Sequence, residues 1–405
     1  MSTQKKKGTL AIEGGEPVRS TPLPVRYAFG PTEREKLDEL LDYYRDNESD
    51  FGYQGRFEDI YNGKFADFMG GGFADSVATG TLSIFVAIAA LKLPKQSEVI
   101  VSPITDPGTL SAIIFNGLTP RLADSTPGSY NMGPEEFLER ISESTSAVVV
   151  VHAAGQAAEI DTIVAEAHKR NIKVLEDCSQ AHGARFNGKL VGTFGDIAAF
   201  STMYRKAHIT GACGGTIYTQ DRETYHRALA FADRGKPRWE EGFDDRDPTQ
   251  FLFPALNLHQ DEISSAIGIA SLARLPDTIS KRRSYVAGVS DHLRQSSKIC
   301  SPYPNSDEDS PFIFPIIVDL GGITCSKIDF AEAVRAEGIG LNPHYMYVVS
   351  EWPWVQPYLS DEFQCPNARD IRDTSFNLYL NENYGDTEVT DTVNAILKVE
   401  AFFAK

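Results

Sequence analysis

Cysteine is scarce and scattered. The five residues Cys178, Cys213, Cys300, Cys325 and Cys365 form no CxxC and no Cys/His cluster, which argues against a disulfide framework and a zinc site and fits a reducing cytosol. Basic residues are outnumbered, 39 Lys+Arg against 56 Asp+Glu, for a net charge of −17. Nucleic acid and anionic membrane, both bound through Lys/Arg excess, are therefore disfavoured as general partners, although a local basic pocket for a small anion stays open. No run approaches the roughly 18 apolar residues of a membrane helix. The N-terminus, MSTQKKKGTLAIEGG, has lysines but no apolar run behind them, so it does not read as a signal peptide. The expectation is a cytoplasmic protein. No internal repeat is visible, and nothing is strongly biased beyond the short KKK.

What is present is an ordinary globular composition, 41% hydrophobic and 23% charged over 405 residues, too long for one simple core. Between about 78 and 220 the chain alternates. Apolar strands are expected at 98–103, 120–124, 146–151, 173–177, 197–202 and 214–219, and helices after Gly80 and at 108–117, 134–141 and 159–171. This is the βαβ pattern of an α/β fold with a mainly parallel sheet, whose ligand sits beyond the carboxyl ends of the strands. Long helices are expected over 260–299. Beyond the connector SPYPNSDEDSP (301–311), a strand at 312–320 and helices at 326–338 and 390–404 give a small α+β domain. The division is an N-terminal arm and helix over 1–50, a large domain over 51–275, and a linking helix with the small C-terminal domain over 276–405.

Four features fall on the expected carboxyl-end loops. Thr79-Gly80-Thr81 opens a helix, where free N–H groups favour an anion such as phosphate, although Thr and Gly are also common caps. Asp177 ends an apolar strand in LEDCSQAHGA, where an ionised carboxylate needs a cation or donors. It reads either as a helix cap or as the partner of a positively charged ring nitrogen. Lys206 lies in a short loop between two apolar strands, five residues after Ser201 and before Gly211, Gly214 and Gly215. Burial there would lower its pKa and make it an imine-forming nucleophile, with Ser201 placed as a phosphate donor. Asn257, in FLFPALNLHQDEI, reads equally as a helix cap or a ligand group.

Taken together, these features resemble the fold-type I sugar aminotransferases of the DegT/StrS type, which depend on pyridoxal 5'-phosphate (PLP). The resemblance runs from GGEPVR (14–19) to the C-terminal helix. It is most specific in EDCSQAHGARFNGKLVGTFGDIAAFS (176–201), followed by Lys206 and GACGG (211–215). It implies an aspartate-aminotransferase-like large domain that binds PLP, with pyridoxamine phosphate as the intermediate form. Lys206 would hold the cofactor and shuttle a proton, and Asp177 would pair with the pyridine nitrogen. Gln180 would contact the ring face or its O3′ edge, Gly80, Thr81 and Ser201 the phosphate. Asn257 would reach the phosphate of a neighbouring subunit, implying a homodimer with shared sites. His182 follows the family pattern and reads equally as structural. The implied reaction transfers an amino group from glutamate or glutamine to a keto-sugar, nucleotide-linked, or a keto-cyclitol. The alternatives are a sugar dehydratase, whose family members place histidine at the lysine position, and an inactive regulatory relative. Three positions depart from the pattern: Ile104-Thr105-Asp106 in place of an aromatic stacker, Cys213 in place of an acid, and His259 where Arg or Lys is common.

Overall fold

A computed structural model gives the protein over residues 9–405; Lys5–Lys7 and the start of the arm expected over 1–50 lie outside the described residues. In chain order the strands are β1 (Phe73–Val77), β2 (Glu98–Val101), β3 (Thr119–Leu122), β4 (Thr145–Val151), β5 (Lys173–Asp177), β6 (Arg185–Phe186), β7 (Lys189–Leu190), β8 (Ile197–Ser201), β9 (Gly215–Thr219), β10 (Cys300–Pro302), β11 (Phe314–Val318), β12 (Leu341–Asn342) and β13 (Ser375–Leu378). The α-helices are α1 (Pro31–Asp46), α2 (Arg56–Phe68), α3 (Gly80–Ala90), α4 (Pro107–Phe115), α5 (Pro134–Glu139), α6 (Ile160–His168), α7 (Arg222–Ala232), α8 (Glu262–Ser296), α9 (Lys327–Ala336), α10 (Pro366–Thr374) and α11 (Asp386–Phe403).

Seven strands form the large sheet in the order β1-β9-β8-β5-β4-β2-β3. β9 alone runs against the others, so the sheet is mainly parallel, as the alternating sequence implies. Val148–Val150 of β4 are fully buried, which is why that strand reads as a continuous apolar run. α3, in the sequence GTLSIFVAIAA, has apolar residues all round and packs against β8, β9, α4 and α7. The sequence reading missed β1, α2 and α7, whose polar or aromatic residues blur their periodicity.

The region expected as the small domain holds the antiparallel sheet β10-β11-β13-β12, with α9, α10 and α8 packed on it and α11 packed on α8 and α9. Where long helices were expected over 260–299, one helix of 35 residues runs through Pro276. An internal proline costs about 3 kcal/mol; packing of α8 on α1, α2 and α11 offsets it. The N-cap of α8 is Asp261, whose side chain accepts from Ser264 N at 2.9 Å. The cap expected of Asn257 is therefore not made.

Because β1, β2, β4, β5 and β8 are parallel, the residues that follow them meet along one edge of the sheet. Thr79–Thr81, Ser102–Asp106, His152–Gly155, Asp177–Gln180 and Lys206 all lie there.

Candidate active site

Two helix N-termini open onto this edge. Thr79 caps α3, its hydroxyl accepting from Leu82 N at 3.1 Å, and Asp106 caps α4, accepting from Gly108 N at 2.8 Å. Asp106 is thus a helix cap in the place where the family pattern has an aromatic ring. The turn into α3 is threaded between β8 and β9. A Cβ on Gly80 would lie 2.4 Å from Ser201 Cβ, and one on Gly215 would lie 2.3 Å from Thr79 O. Only glycine at 80 and 215 lets the start of α3 lie against Ser201 and the start of β9, and a helix N-terminus so placed suits an anion.

Glu176 and Asp177 end β5 and are both buried. Glu176 accepts from the backbone N–H of Gly192 (2.7 Å), Phe194 (2.8 Å) and Gly195 (2.7 Å), and from His152 Nε2 at 3.1 Å. Asp177 has less: Ser179 N at 3.1 Å and, at 3.3 Å, the hydroxyl of Thr109. No helix follows it, so the cap reading of Asp177 fails. Burial pushes its pKa up, and Ser179 and Lys206 offset only part of that.

Gln180 Oε1 accepts from Ala154 N at 2.8 Å, where Ala154 sits in the left-handed region at φ 59°. The Tyr345 hydroxyl lies next to the Gln180 side chain. Tyr345 stacks on Tyr130 with centroids 5.9 Å apart. It arrives from the small domain, where Ile104 bridges Val348 and Thr105 N donates to Tyr347 O at 3.3 Å. Sequence reasoning missed this tyrosine, since nothing local marks residues 345–348 as neighbours of residues 104–106.

Lys206 lies between β8 and β9. It is half-buried, with Nζ 4.3 Å from the centroid of the Phe312 ring. Removal from water brings its pKa down to about 8, against the opposing pull of Asp177 and Asp106. Phe312 was also missed.

Asn257 stands apart. Its side chain is exposed and accepts a long hydrogen bond from His259 N at 3.4 Å. Its neighbour Leu258 nevertheless accepts from Ala78 N at 2.9 Å, one residue before the Thr79 turn. His259 stacks on Tyr53 (4.4 Å) and lies 3.3 Å from Asp233. His182 is buried against Phe200 and His208. Burial holds it neutral, and its Nε2 has no hydrogen-bond partner. Cys213 is exposed.

His152, Glu176 and Cys178 form the one metal-capable cluster among the described residues. His152 Nδ1 accepts from Ala158 N at 3.1 Å, so Nε2 carries the proton that goes to Glu176. With His152 and Glu176 both engaged, only the Cys178 sulfur is left over, and the cluster is a structural bond set rather than a metal site.

The sequence model of the DegT/DnrJ/EryC1/StrS aminotransferase family matches residues 33–397. The chain belongs to this family. The GDP-perosamine synthase of Escherichia coli O157:H7, also similar, is 34% identical over 208 residues, which are 51% of this chain and 55% of that protein; the chain spans just over half the length of that curated relative. Among solved structures, the aminotransferase from Psychrobacter cryohalolentis superposes with a TM-score of 0.86 at 25% identity, covering 94% of this chain and 100% of that one. The E. coli GDP-4-keto-6-deoxy-D-mannose-3-dehydratase with bound hydrated PLP superposes at 0.82 and 25% identity, covering 93% and 98%. Solved structures similar to this chain thus include both an aminotransferase and a dehydratase.

Proposed function

We propose that the protein is a PLP-dependent aminotransferase that moves an amino group from glutamate or glutamine to a keto-sugar, nucleotide-linked, or a keto-cyclitol, in amino-sugar biosynthesis. The observation that carries this reading is Lys206: a lysine with its pKa lowered to about 8, electrostatically coupled to a buried, under-bonded Asp177.

The residues fit the cofactor. Gly80 leaves a backbone cradle that a Cβ would fill, and Thr81 and Ser201 add hydroxyls for a phosphate. Asp177 lacks a strong donor on Oδ2, which a protonated ring nitrogen would supply. Lys206 would hold the cofactor through Nζ, and Gln180 would lie against the ring. Once bound, PLP supplies the electron sink that makes an amino acid's α-proton removable. The chain's own residues do the rest. Asp177 would keep a ring nitrogen protonated. Lys206 Nζ, neutral far more often than an ordinary lysine, takes a proton and returns it. The α3 N-terminus and Ser201 fix the anion, so that the reacting atoms stay beside Nζ.

The dehydratase among the similar structures favours a second reading. The lysine at position 206 argues for transfer, because the dehydrating members of the family are expected to carry histidine there. Retention of Lys206, Asp177 and Ser201 together argues against an inactive regulatory relative.

A homodimer with a shared site is supported by the face around Asn257. There Tyr53, Leu252 and Leu256 are exposed, tied together through Arg234, Gly235 and His259. The five free cysteines suit a cytoplasmic location, and no helix among the described residues is long and apolar enough to cross a membrane.

Isotopically labelled glutamate or glutamine, incubated with the protein, PLP and a panel of keto-sugars and keto-cyclitols, should place labelled nitrogen in the product. Loss of a sugar hydroxyl with no nitrogen incorporated would establish the dehydratase reading instead.

A further inference from the structure

We propose that Glu382, in the small-domain loop between β13 and α11, is a positioning residue for Lys206. It acts through two arginines that hold the segments on either side of that amine. The inference rests on the reading of Lys206 as the reactive amine.

The Glu382 carboxylate is shared. Oε1 accepts from Arg26 Nε at 2.9 Å, and Oε2 accepts from Arg282 Nη2 at 3.0 Å and Nε at 3.3 Å. Arg26, on the N-terminal arm, spends its other donors on the Lys206 loop: Nη1 on Tyr204 O at 2.8 Å and Nη2 on Ala207 O at 3.1 Å. These carbonyls flank Lys206. Arg282, buried in α8, donates Nη1 to Pro311 O at 3.3 Å. The next residue is Phe312, whose ring faces Lys206 Nζ. One carboxylate therefore braces both the loop that carries the amine and the ring that shields it.

The brace is itself anchored. Asn381 donates to Pro24 O at 3.0 Å, and Asn383 to Val25 O and Arg26 O at 2.8 and 2.9 Å, so the run Asn381-Glu382-Asn383 clasps the arm beside Arg26. A third cation, Arg274, lies 3.6 Å from Glu382 but bonds Glu33 at 2.7 Å. Burial brings Arg282 down to about 10 while Glu382 holds it charged; a buried ion pair of this kind earns its place by fixing geometry more than by adding stability. The charged groups that face Lys206 itself are Asp177 and Asp106, and neither touches the brace.

A purely electrostatic role and a positioning role predict different signs. Glu382→Gln removes a negative charge, which by charge alone would lower the pKa of Lys206; loosening the loop would rehydrate the amine and raise it. Arg26→Lys keeps the charge and loses the fork, so charge alone predicts no change. The test is the pH dependence of Lys206 labelling by an amine-reactive reagent, followed by peptide mass spectrometry on full-length protein without cofactor. Positioning predicts that both variants move the labelling midpoint upward by about one unit, or about tenfold slower labelling at pH 7. In the PLP-loaded enzyme kcat should fall while KM for the amino donor holds. A downward shift in Glu382→Gln, or no shift in Arg26→Lys, overturns the proposal. If Glu382→Gln fails to fold because Arg282 is left unpaired, Arg26→Lys decides alone. The labelling needs no cofactor, so it stands even if the protein proves not to bind PLP, and a protein that transaminates normally with an unmoved midpoint refutes only the brace.

Discussion

Glu176 and Asp177 are adjacent, both buried and both at the end of β5, yet they face different surroundings. Glu176 takes three backbone N–H groups from the turn between β7 and β8, and the His152 ring. Above the sheet edge, Asp177 has one backbone N–H and a long contact from a hydroxyl. The lesson is one of satisfaction. A saturated buried carboxylate holds a turn in place, whereas an under-bonded one beside a lysine is poised for a ligand.

Predictions that sharpen the contrast run from large effects to small. Lys206→Ala should abolish amino transfer, and borohydride reduction of the PLP-loaded wild type should fix the cofactor to the Lys206 peptide and nowhere else. Label on another lysine would misplace the amine. Asp177→Asn should keep its fold and melting temperature but slow the half-reaction with the amino donor by about 10³-fold or more, an electron-sink loss in transition-state terms; near-normal single-turnover rates would make Asp177 a second Glu176. The reverse pattern belongs to Glu176→Ala, which leaves three N–H donors and His152 unpartnered. Denaturant unfolding should show a loss of about 3–5 kcal/mol, and a loss below about 1 kcal/mol would mean that the β7–β8 turn is held by something else.

The smallest effect concerns the stability cost of the site. Lys206 has a pKa of about 8 when folded against an ordinary value of 10.5. Below pH 8 both states are protonated and the burial penalty is complete. Between 8 and 10.5 the unfolded chain holds more protons, so wild-type stability rises with pH. Lys206→Met should therefore stabilise the cofactor-free protein by on the order of 2 kcal/mol at pH 7, with the gain fading toward pH 10.5. A gain that is constant with pH would assign it to packing against Phe312 instead.

Much of the large domain was legible because its signals are local. β4 reads as TSAVVVV and β5 as KVLED, and the helices between strands carry glycine or acid at the expected ends. α2 and α7 were not legible, since α2 mixes Phe57, Tyr61 and Phe65 with charged residues and α7 opens with Arg222, Glu223, Thr224, His226 and Arg227 among its first six residues. The antiparallel course of β9 was hidden too: a five-residue apolar strand looks the same in either direction, and only pairing with both β8 and β1 fixes it.

The sequence by itself determined where chemistry could occur. Parallel βαβ units must bring the ends of their strands to one edge, and Thr79–Thr81, Asp177, Ser201 and Lys206 are written at those ends. Only the tertiary structure decided which groups are spare and which are spoken for. Glu176 is filled by a turn 16 to 19 residues downstream, Gln180 is held by the backbone of Ala154, and the segments around Lys206 are braced by Arg26, Arg282 and Glu382. Hydrogen-bond saturation and desolvation depend on partners brought close by folding, and no spacing along the chain encodes them.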